Sequence, residues 1–386
     1  MEVVVTGIGL VSALGASLEA SWQKLIAGKS GISLLQPFPE LEPRPLALID
    51  KQPASLTTLT RLVVAAALED AGLVTPLPNC GVVIGSSRSH QASWERLARQ
   101  MYLPAPPQSP LNKGGELEHW LDTLPHMSAI ASARQVGSNG PVLAPMAACA
   151  TGIWALAQGY YLVETGQCQR VIAGAVEAPV TPLVLAGFKQ MGALARTGAY
   201  PFERRRQGLV LGEGAAVFVL ESAQEAKRRS ASVYGQVLGF GLTSDAYHAI
   251  GPAPGAKSAI AAVKQCLDRS CLSPVDIDYI HAHGTGTQLN DRNEAELIQE
   301  LFPQAVPVSS TKGATGHTLG ASGALGVAFC LMALKHQILP PCVGMKEPEF
   351  ELDLVTAPRR GEVQQVLCFS FGFGGQNAVV ALRRRT

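Results

Sequence analysis

Runs rich in β-branched residues and bounded by glycine recur along the chain: "EVVVTGIG" (2–9), "CGVVIGSS" (80–87), "RVIAGAVEA" (170–178), "GLVLGEGAAVFVLES" (208–222), "YGQVLGFGL" (234–242) and "DYIHAHG" (278–284). Runs this short and this continuously apolar read as buried strands that end in tight turns. Between them lie stretches with helical spacing at 59–72, 152–166, 256–270 and 291–302, several closed by glycine. Strand alternating with helix restricts the chain to a layered α/β fold. With 386 residues, 47% of them hydrophobic and 16% charged, it has the length and apolar content for two fused halves. The charged segment "ESAQEAKRRSAS" (221–232) is the natural midpoint, dividing residues 1–230 from 231–386. The segment "LPAPPQSPLNKGG" (103–115) is too rich in proline and glycine for regular structure and is expected to cross the surface, as loops that border a site often do.

Composition excludes several roles. Lys and Arg number 31 against 30 Asp and Glu, a balance of +1 that gives no reason to expect nucleic acid as a partner. The eight cysteines are scattered without a CxxC pair, in a chain too large to need disulfide staples, which points to a reducing compartment. The N-terminus has no basic region of the kind a signal peptide carries. The longest apolar run, 319–334, contains Ser322 and three glycines and falls short of an uninterrupted membrane span. A cytoplasmic protein without membrane insertion is expected.

Four stretches carry chemistry. In "AACATG" (147–152), Cys149 is either a small core residue or a nucleophile; a strand-like approach followed by a helix would place its sulfur at a helix N-terminus, where free N–H groups favour thiolate. "HAHGTGT" (281–287) presents His281 and His283 on one side of a strand, and no further ligand stands near at a metal-site spacing, so no metal is assigned. "SSTKGATGHTLGASGALG" (309–326) sets Lys312 and His317 in a loop rich in small residues that opens an apolar helix. "CFSFGFGGQNAVVAL" (368–382) is a strand, a glycine-dense turn whose backbone N–H groups can meet a ligand, and a returning strand. One thiol, two histidines, a lysine and a backbone-rich turn are equipment for carbon–carbon bond formation through a thioester.

In these stretches, and in "VVVTGIGLVSALG", "VIAGAVEAPVTPLVLAGF" and "PFERRRQGLVLGEGAAVFVLE", the chain resembles the β-ketoacyl-[acyl carrier protein] synthases over nearly its whole length. These are the decarboxylating condensing enzymes of fatty acid and polyketide assembly. The resemblance implies a thiolase-like five-layered α-β-α-β-α sandwich made of two pseudo-twofold-related halves. It implies that Cys149 accepts the acyl group, that His283 and His317 are the catalytic histidines and Lys312 their associated lysine. Phe373 would be the gating phenylalanine whose N–H, with that of Cys149, forms an oxyanion hole, and Thr285 and Thr287 would contact the phosphopantetheine arm. That arm is carried by the acyl carrier protein, so the chain itself requires no cofactor. The chain would be a free-standing synthase that dimerises with itself or with a sister ketosynthase. The alternative is a non-condensing partner subunit of the chain length factor type.

The chain departs from the family pattern at Gly326, where a glutamate is usual, at His281, where asparagine or glutamate is common, at Ala147, where threonine is common, and at Gln207, where aspartate is usual. Lys312 is accordingly expected to lack its acidic neighbour. Arg61, Arg196 and the run Arg204 to Arg206 are candidates for a docking rim facing the acidic carrier protein.

Overall fold

A computed structural model describes residues 1–102 and 117–385. The loop expected at 103–115 lies outside the described residues. Strands β1 (Val3–Ser12), β2 (Cys80–Gly85), β3 (Val142–Leu143), β4 (Arg170–Glu177) and β5 (Gly214–Ser222) belong to the first half of the chain. Strands β6 (Gly235–Ser244), β7 (Tyr279–His281), β8 (Pro307–Ser309), β9 (Asp353–Leu354), β10 (Gln365–Gly372) and β11 (Gln376–Arg383) belong to the second. They form one eleven-stranded sheet in the order β9-β8-β7-β10-β11-β6-β1-β5-β4-β2-β3.

The pairing repeats outward from the middle. In the first half β1–β5 and β5–β4 are antiparallel, then β4–β2 and β2–β3 are parallel. In the second half β6–β11 and β11–β10 are antiparallel, then β10–β7 and β7–β8 are parallel. The halves meet where β1 runs antiparallel to β6, Val3 opposite Val237.

Six helices complete the layers: α1 (Leu56–Asp70), α2 (Met127–Val136), α3 (Thr151–Glu164), α4 (Lys257–Arg269), α5 (Gln288–Leu301) and α6 (Ser322–His336). Strand alternation explains why the strand runs are apolar throughout. On β5, Ala216, Phe218 and Leu220 join the central core with α3 and α6, while Ala215, Val217 and Val219 join a second core under α1 and α2. A third core lies between the outer face of the second half and α4 with α5. A strand covered on both faces has no polar side to show. The resulting order is helix, strand, helix, strand, helix.

The outer helices lie so close to the strands that glycine is required beneath them. A Cβ at Gly9 of β1 would fall 1.9 Å from the Val63 carbonyl oxygen of α1, and one at Gly241 of β6 would fall 1.7 Å from the Ala262 carbonyl oxygen of α4. The two halves thus use the same device at equivalent strands.

The structure shortens two expected strands: within 278–284 only Tyr279–His281 pairs in the sheet, so His283 lies in the loop that follows it rather than beside His281 on the strand. Within 208–222 only Gly214–Ser222 pairs in the sheet, because the backbone of the first part pairs with loops instead, Leu209 with Leu194, Gly212 with Ala47 and Leu211 with His317. Among the described residues one helix, Leu319–His336, is long and apolar enough to cross a membrane, and 89% of it is buried inside the protein. Every side chain from Ser322 to Leu334 is covered, so its apolar composition serves the central layer.

Candidate active site

The turn that carries Cys149 is built by its own backbone. Ala148 adopts φ of +47°, a left-handed conformation unfavourable to a residue with a Cβ, and Cys149 follows immediately before α3. The Thr151 hydroxyl locks the turn, donating to the Ala148 carbonyl at 2.6 Å and accepting the Ala147 N–H at 2.9 Å. Across the middle of the molecule the Ser370 hydroxyl of β10 donates to the Cys149 carbonyl at 2.8 Å.

The histidines reach the same point from the second half. His283 follows β7 in a loop that turns at Gly284 and Gly286, both at positive φ. The buried Glu294 carboxylate of α5 accepts the His283 N–H at 2.5 Å and the Gly284 N–H at 2.7 Å. On the other side of the same residue, the Lys312 ammonium donates to the His283 carbonyl. His317 is clamped by the first half: its N–H donates to the Val210 carbonyl at 2.7 Å and its carbonyl accepts from Gly212 at 3.0 Å.

As a result the Cys149 sulfur and one nitrogen from each ring lie within 4.8 Å of one another. The His283 and His317 rings meet edge to face with centroids 5.3 Å apart. Both Nδ1 atoms are buried without a hydrogen-bond partner. Unsatisfied buried polar atoms are rare in folded proteins, and here one stands on each of the two rings that meet at the Cys149 sulfur. The cluster opens on a cavity of about 330 Å³ that Thr285, Thr287, Phe371 and Phe373 also line. Phe373 stacks on Phe188 at 6.0 Å, and the Thr285 and Thr287 hydroxyls bond each other at 2.9 Å. Lys312 does not line this cavity; it stands behind His283, 3% exposed.

Electrostatics corrects one expectation. Burial pushes the Cys149 thiol up to about 11, against the lowering effects of the Lys312 and Arg88 charges and of the Phe373 N–H directed at the sulfur. The resting form of Cys149 is therefore the thiol, since removal from water outweighs the groups that favour thiolate. Burial, followed by the Lys312 charge, holds His283 and His317 well below the ordinary histidine range, so both rings are neutral.

Other residues differ from their sequence reading. Lys312 does have an acidic neighbour: burial lowers the lysine on balance, and Glu294 leads the charges that oppose this. Arg206 is no docking residue, for it is 2% exposed, pairs with Asp291 and Glu349, and donates to the Glu203, Thr287 and Gln288 carbonyls. Arg61, Arg196, Arg204 and Arg205 are exposed. Asp291 and Glu294 went unnoticed in the sequence. The available signal was their place on the face of α5 that also carries Ala295 and Ile298, where an acid interrupts an apolar stripe.

The Beta-ketoacyl synthase N-terminal domain model matches residues 49–226 and the C-terminal domain model matches residues 234–346. The chain belongs to the β-ketoacyl synthase family. It is 32% identical to the 3-oxoacyl-[acyl-carrier-protein] synthase 2 of Staphylococcus aureus (strain MRSA252) over 416 aligned residues, covering 100% of this chain and 98% of that protein. It is 33% identical to the tetracenomycin polyketide synthase ketoacyl synthase alpha subunit of Streptomyces glaucescens, covering 99% and 97%. Among solved structures it superposes with a TM-score of 0.90 and 25% identity on the ketosynthase complex AntDE:AntF, a type II polyketide synthase carrier protein with its hexaketide-bound ketosynthase, covering 100% and 99%. With the ketosynthase ApeO and its chain length factor ApeC from Xenorhabdus doucetiae the TM-score is 0.83 at 26% identity, covering 100% and 98%. The five layers are those of the thiolase-like fold.

Proposed function

We propose that this β-ketoacyl synthase joins an acyl group held on Cys149 to malonyl-[acyl carrier protein], releasing CO2 and a 3-oxoacyl thioester two carbons longer. The observation that carries this reading is the convergence of Cys149, His283 and His317 within 4.8 Å at the end of one cavity. In the first half-reaction the acyl carbonyl carbon bonds to the Cys149 sulfur and parts from the carrier's phosphopantetheine sulfur, which receives the thiol proton. A thiol buried at about 11 loses its proton in company with attack. The N–H groups of Cys149 and Phe373 stabilise the oxyanion, each such donor contributing about 3 kcal/mol.

In the second half-reaction malonyl thioester loses CO2 and leaves an enolate. Two neutral imidazoles act as N–H donors to its oxygen, while its carbon attacks the acyl-Cys149 carbonyl and expels the cysteine sulfur, which takes a proton from solvent to become the resting thiol again. Lys312 works from behind, holding the His283 peptide and adding its charge to the burial that chiefly keeps both rings unprotonated. Thr285 and Thr287 line the route of the phosphopantetheine arm, which arrives with the carrier protein, so the chain needs no cofactor of its own. Exposed Arg61, Arg196, Arg204 and Arg205 supply positive charge for docking. The synthase works as a dimer with itself or with a sister ketosynthase. Its halves divide near residue 230, a boundary supported by the family segments that end at 226 and resume at 234. A cytoplasmic location fits its cysteines, all of them free.

Replacing His283 or His317 by alanine tests the division of labour. Each variant is expected to accept an acyl group on Cys149 yet leave malonyl carrier protein unconsumed, followed by mass spectrometry of the carrier. A variant lacking both rings that still forms 3-oxoacyl carrier protein would overturn the assignment.

A further inference from the structure

Gly326 lies on the inner side of α6, and the space its side chain would take is already occupied. A Cβ there would fall 2.8 Å from the Cys368 sulfur and 2.9 Å from both Cε1 and Nδ1 of His281. The imidazole comes from β7, the strand between β8 and β10, where His281 pairs with Ser309 on one side and Cys368 on the other. It is 2% exposed, and both its nitrogens are engaged: Nδ1 lies 3.8 Å from the Cys368 sulfur and Nε2 lies 3.1 Å from the Thr311 hydroxyl.

The second contact bears on the site. Thr311 stands at the N-cap of the one-turn helix Lys312–Thr315, a position where a threonine hydroxyl ordinarily accepts a backbone N–H of the helix it starts. Here it makes no such cap bond. The hydroxyl is turned to His281 instead, while the Thr311 carbonyl accepts from Ala314 at 2.9 Å and Thr315 at 3.0 Å. The next residue is Lys312, whose ammonium reaches back to the carbonyl of His283, two residues beyond His281 on the same strand exit. Imidazole, threonine hydroxyl, lysine and the His283 peptide therefore form one closed circuit.

We propose that His281 is a positioning residue for the condensing step: wedged into the room left by Gly326, its ring fixes Thr311, and through it the turn that delivers Lys312 to His283. The inference rests on the ketosynthase reading of the site. His281 does not line the cavity and touches no reacting atom, so its effect passes through Lys312 and His283. The Cys149 turn makes no part of the circuit, so acyl transfer to Cys149 feels His281 only through the Lys312 charge and depends on it less than condensation does.

The two half-reactions separate this role from simple support of the core. Acylation is followed by intact-mass spectrometry with octanoyl carrier protein, and condensation in a single turnover by adding malonyl carrier protein to the acylated enzyme. Thr311→Val keeps the shape of residue 311 and removes its hydroxyl, and His281→Phe fills the wedge without the hydrogen bond. Both variants should condense about tenfold or more slowly, since a buried polar partner is lost, and should lose clearly less in acylation, which Lys312 reaches only through its charge on Cys149. His281→Gln, whose amide can reach Thr311, should recover most of the rate. Condensation at the wild-type rate in Thr311→Val, or equal slowing of both half-reactions in both variants, would overturn the proposal. Should His281→Phe fail to fold, Thr311→Val decides alone. A wild-type chain that accepts no acyl group would overturn the ketosynthase reading itself and this inference with it.

Discussion

Cys149 and His283 face the same cavity but are held in place by different means. The cysteine stands on a turn fixed within a few residues, by the left-handed Ala148 and the Thr151 hydroxyl, with one bond from Ser370 of the other half. The histidine stands on a loop fixed from far away, its N–H on Glu294 and its carbonyl on Lys312. A nucleophile needs one exact direction of approach, and local backbone strain supplies it. A neutral imidazole that must donate a hydrogen bond also needs its protonation state controlled, and that requires a charge nearby. Buried Lys312 gives the loop side both position and electrostatics.

If this division is right, changes on the two sides will differ in kind. The largest effect belongs to Cys149→Ala, which removes the acyl acceptor and should lower turnover by about 10⁶-fold, near the loss seen when a hydrolase loses its nucleophile. The fold should be unaffected, checked by an unchanged melting temperature beside the turnover assay. Next comes Glu294→Ala, which strands two buried N–H groups and leaves Lys312 without its leading carboxylate. Leaving two buried N–H groups without an acceptor costs about 1 to 3 kcal/mol each, so the melting temperature and the condensation rate should fall together. Acylation should fall less than condensation; equal losses would erase the distinction between the two sides.

A third test concerns charge alone. With its thiol at about 11, Cys149 is protonated throughout the neutral range, and the thiolate fraction grows as pH rises. Alkylation of Cys149 by iodoacetamide should accelerate about tenfold per pH unit between roughly pH 7 and 10. A rate already flat above pH 7 would show that the helix N-terminus outweighs burial. On the loop side, both histidines are held well below their ordinary range and should show no titration by NMR between about pH 6 and 8. The smallest effect is expected from Ser370→Ala, which removes one hydrogen bond to the Cys149 carbonyl and should cost about 1 kcal/mol, slowing acylation less than tenfold.

The same difference explains what could be read from the sequence. Strands buried on both faces announce themselves as continuous apolar runs, and β2, β4 and β6 fall within two residues of where those runs lie. The stretches holding Cys149, His283, His317, Thr285, Thr287 and Phe373 are compact motifs of small residues, and the structure brings all six to one cavity. Glu294 and Asp291 carry no such motif; in "DRNEAELIQE" they look like the solvated charges of an amphipathic helix, and only the packing of α5 shows that they are buried. The arginines at 204–206 are equivalent in sequence, yet Arg206 alone turns inward to Asp291 and Glu349. Gly326 reads as the loss of an acid. Its partner, the His281 ring that fills the gap, lies 45 residues earlier and is visible only in three dimensions.

The central claim is that Cys149 carries the growing chain and surrenders it to malonyl carrier protein. Intact-mass spectrometry of the purified protein, exposed first to octanoyl carrier protein and then to malonyl carrier protein, tests it directly, with Cys149→Ala as control. The account predicts a gain of one acyl group in the wild type alone, discharged on the second addition with the appearance of 3-oxodecanoyl carrier protein. A folded wild-type protein that gains no mass from a loaded carrier, or one that gains it equally in Cys149→Ala, would contradict it.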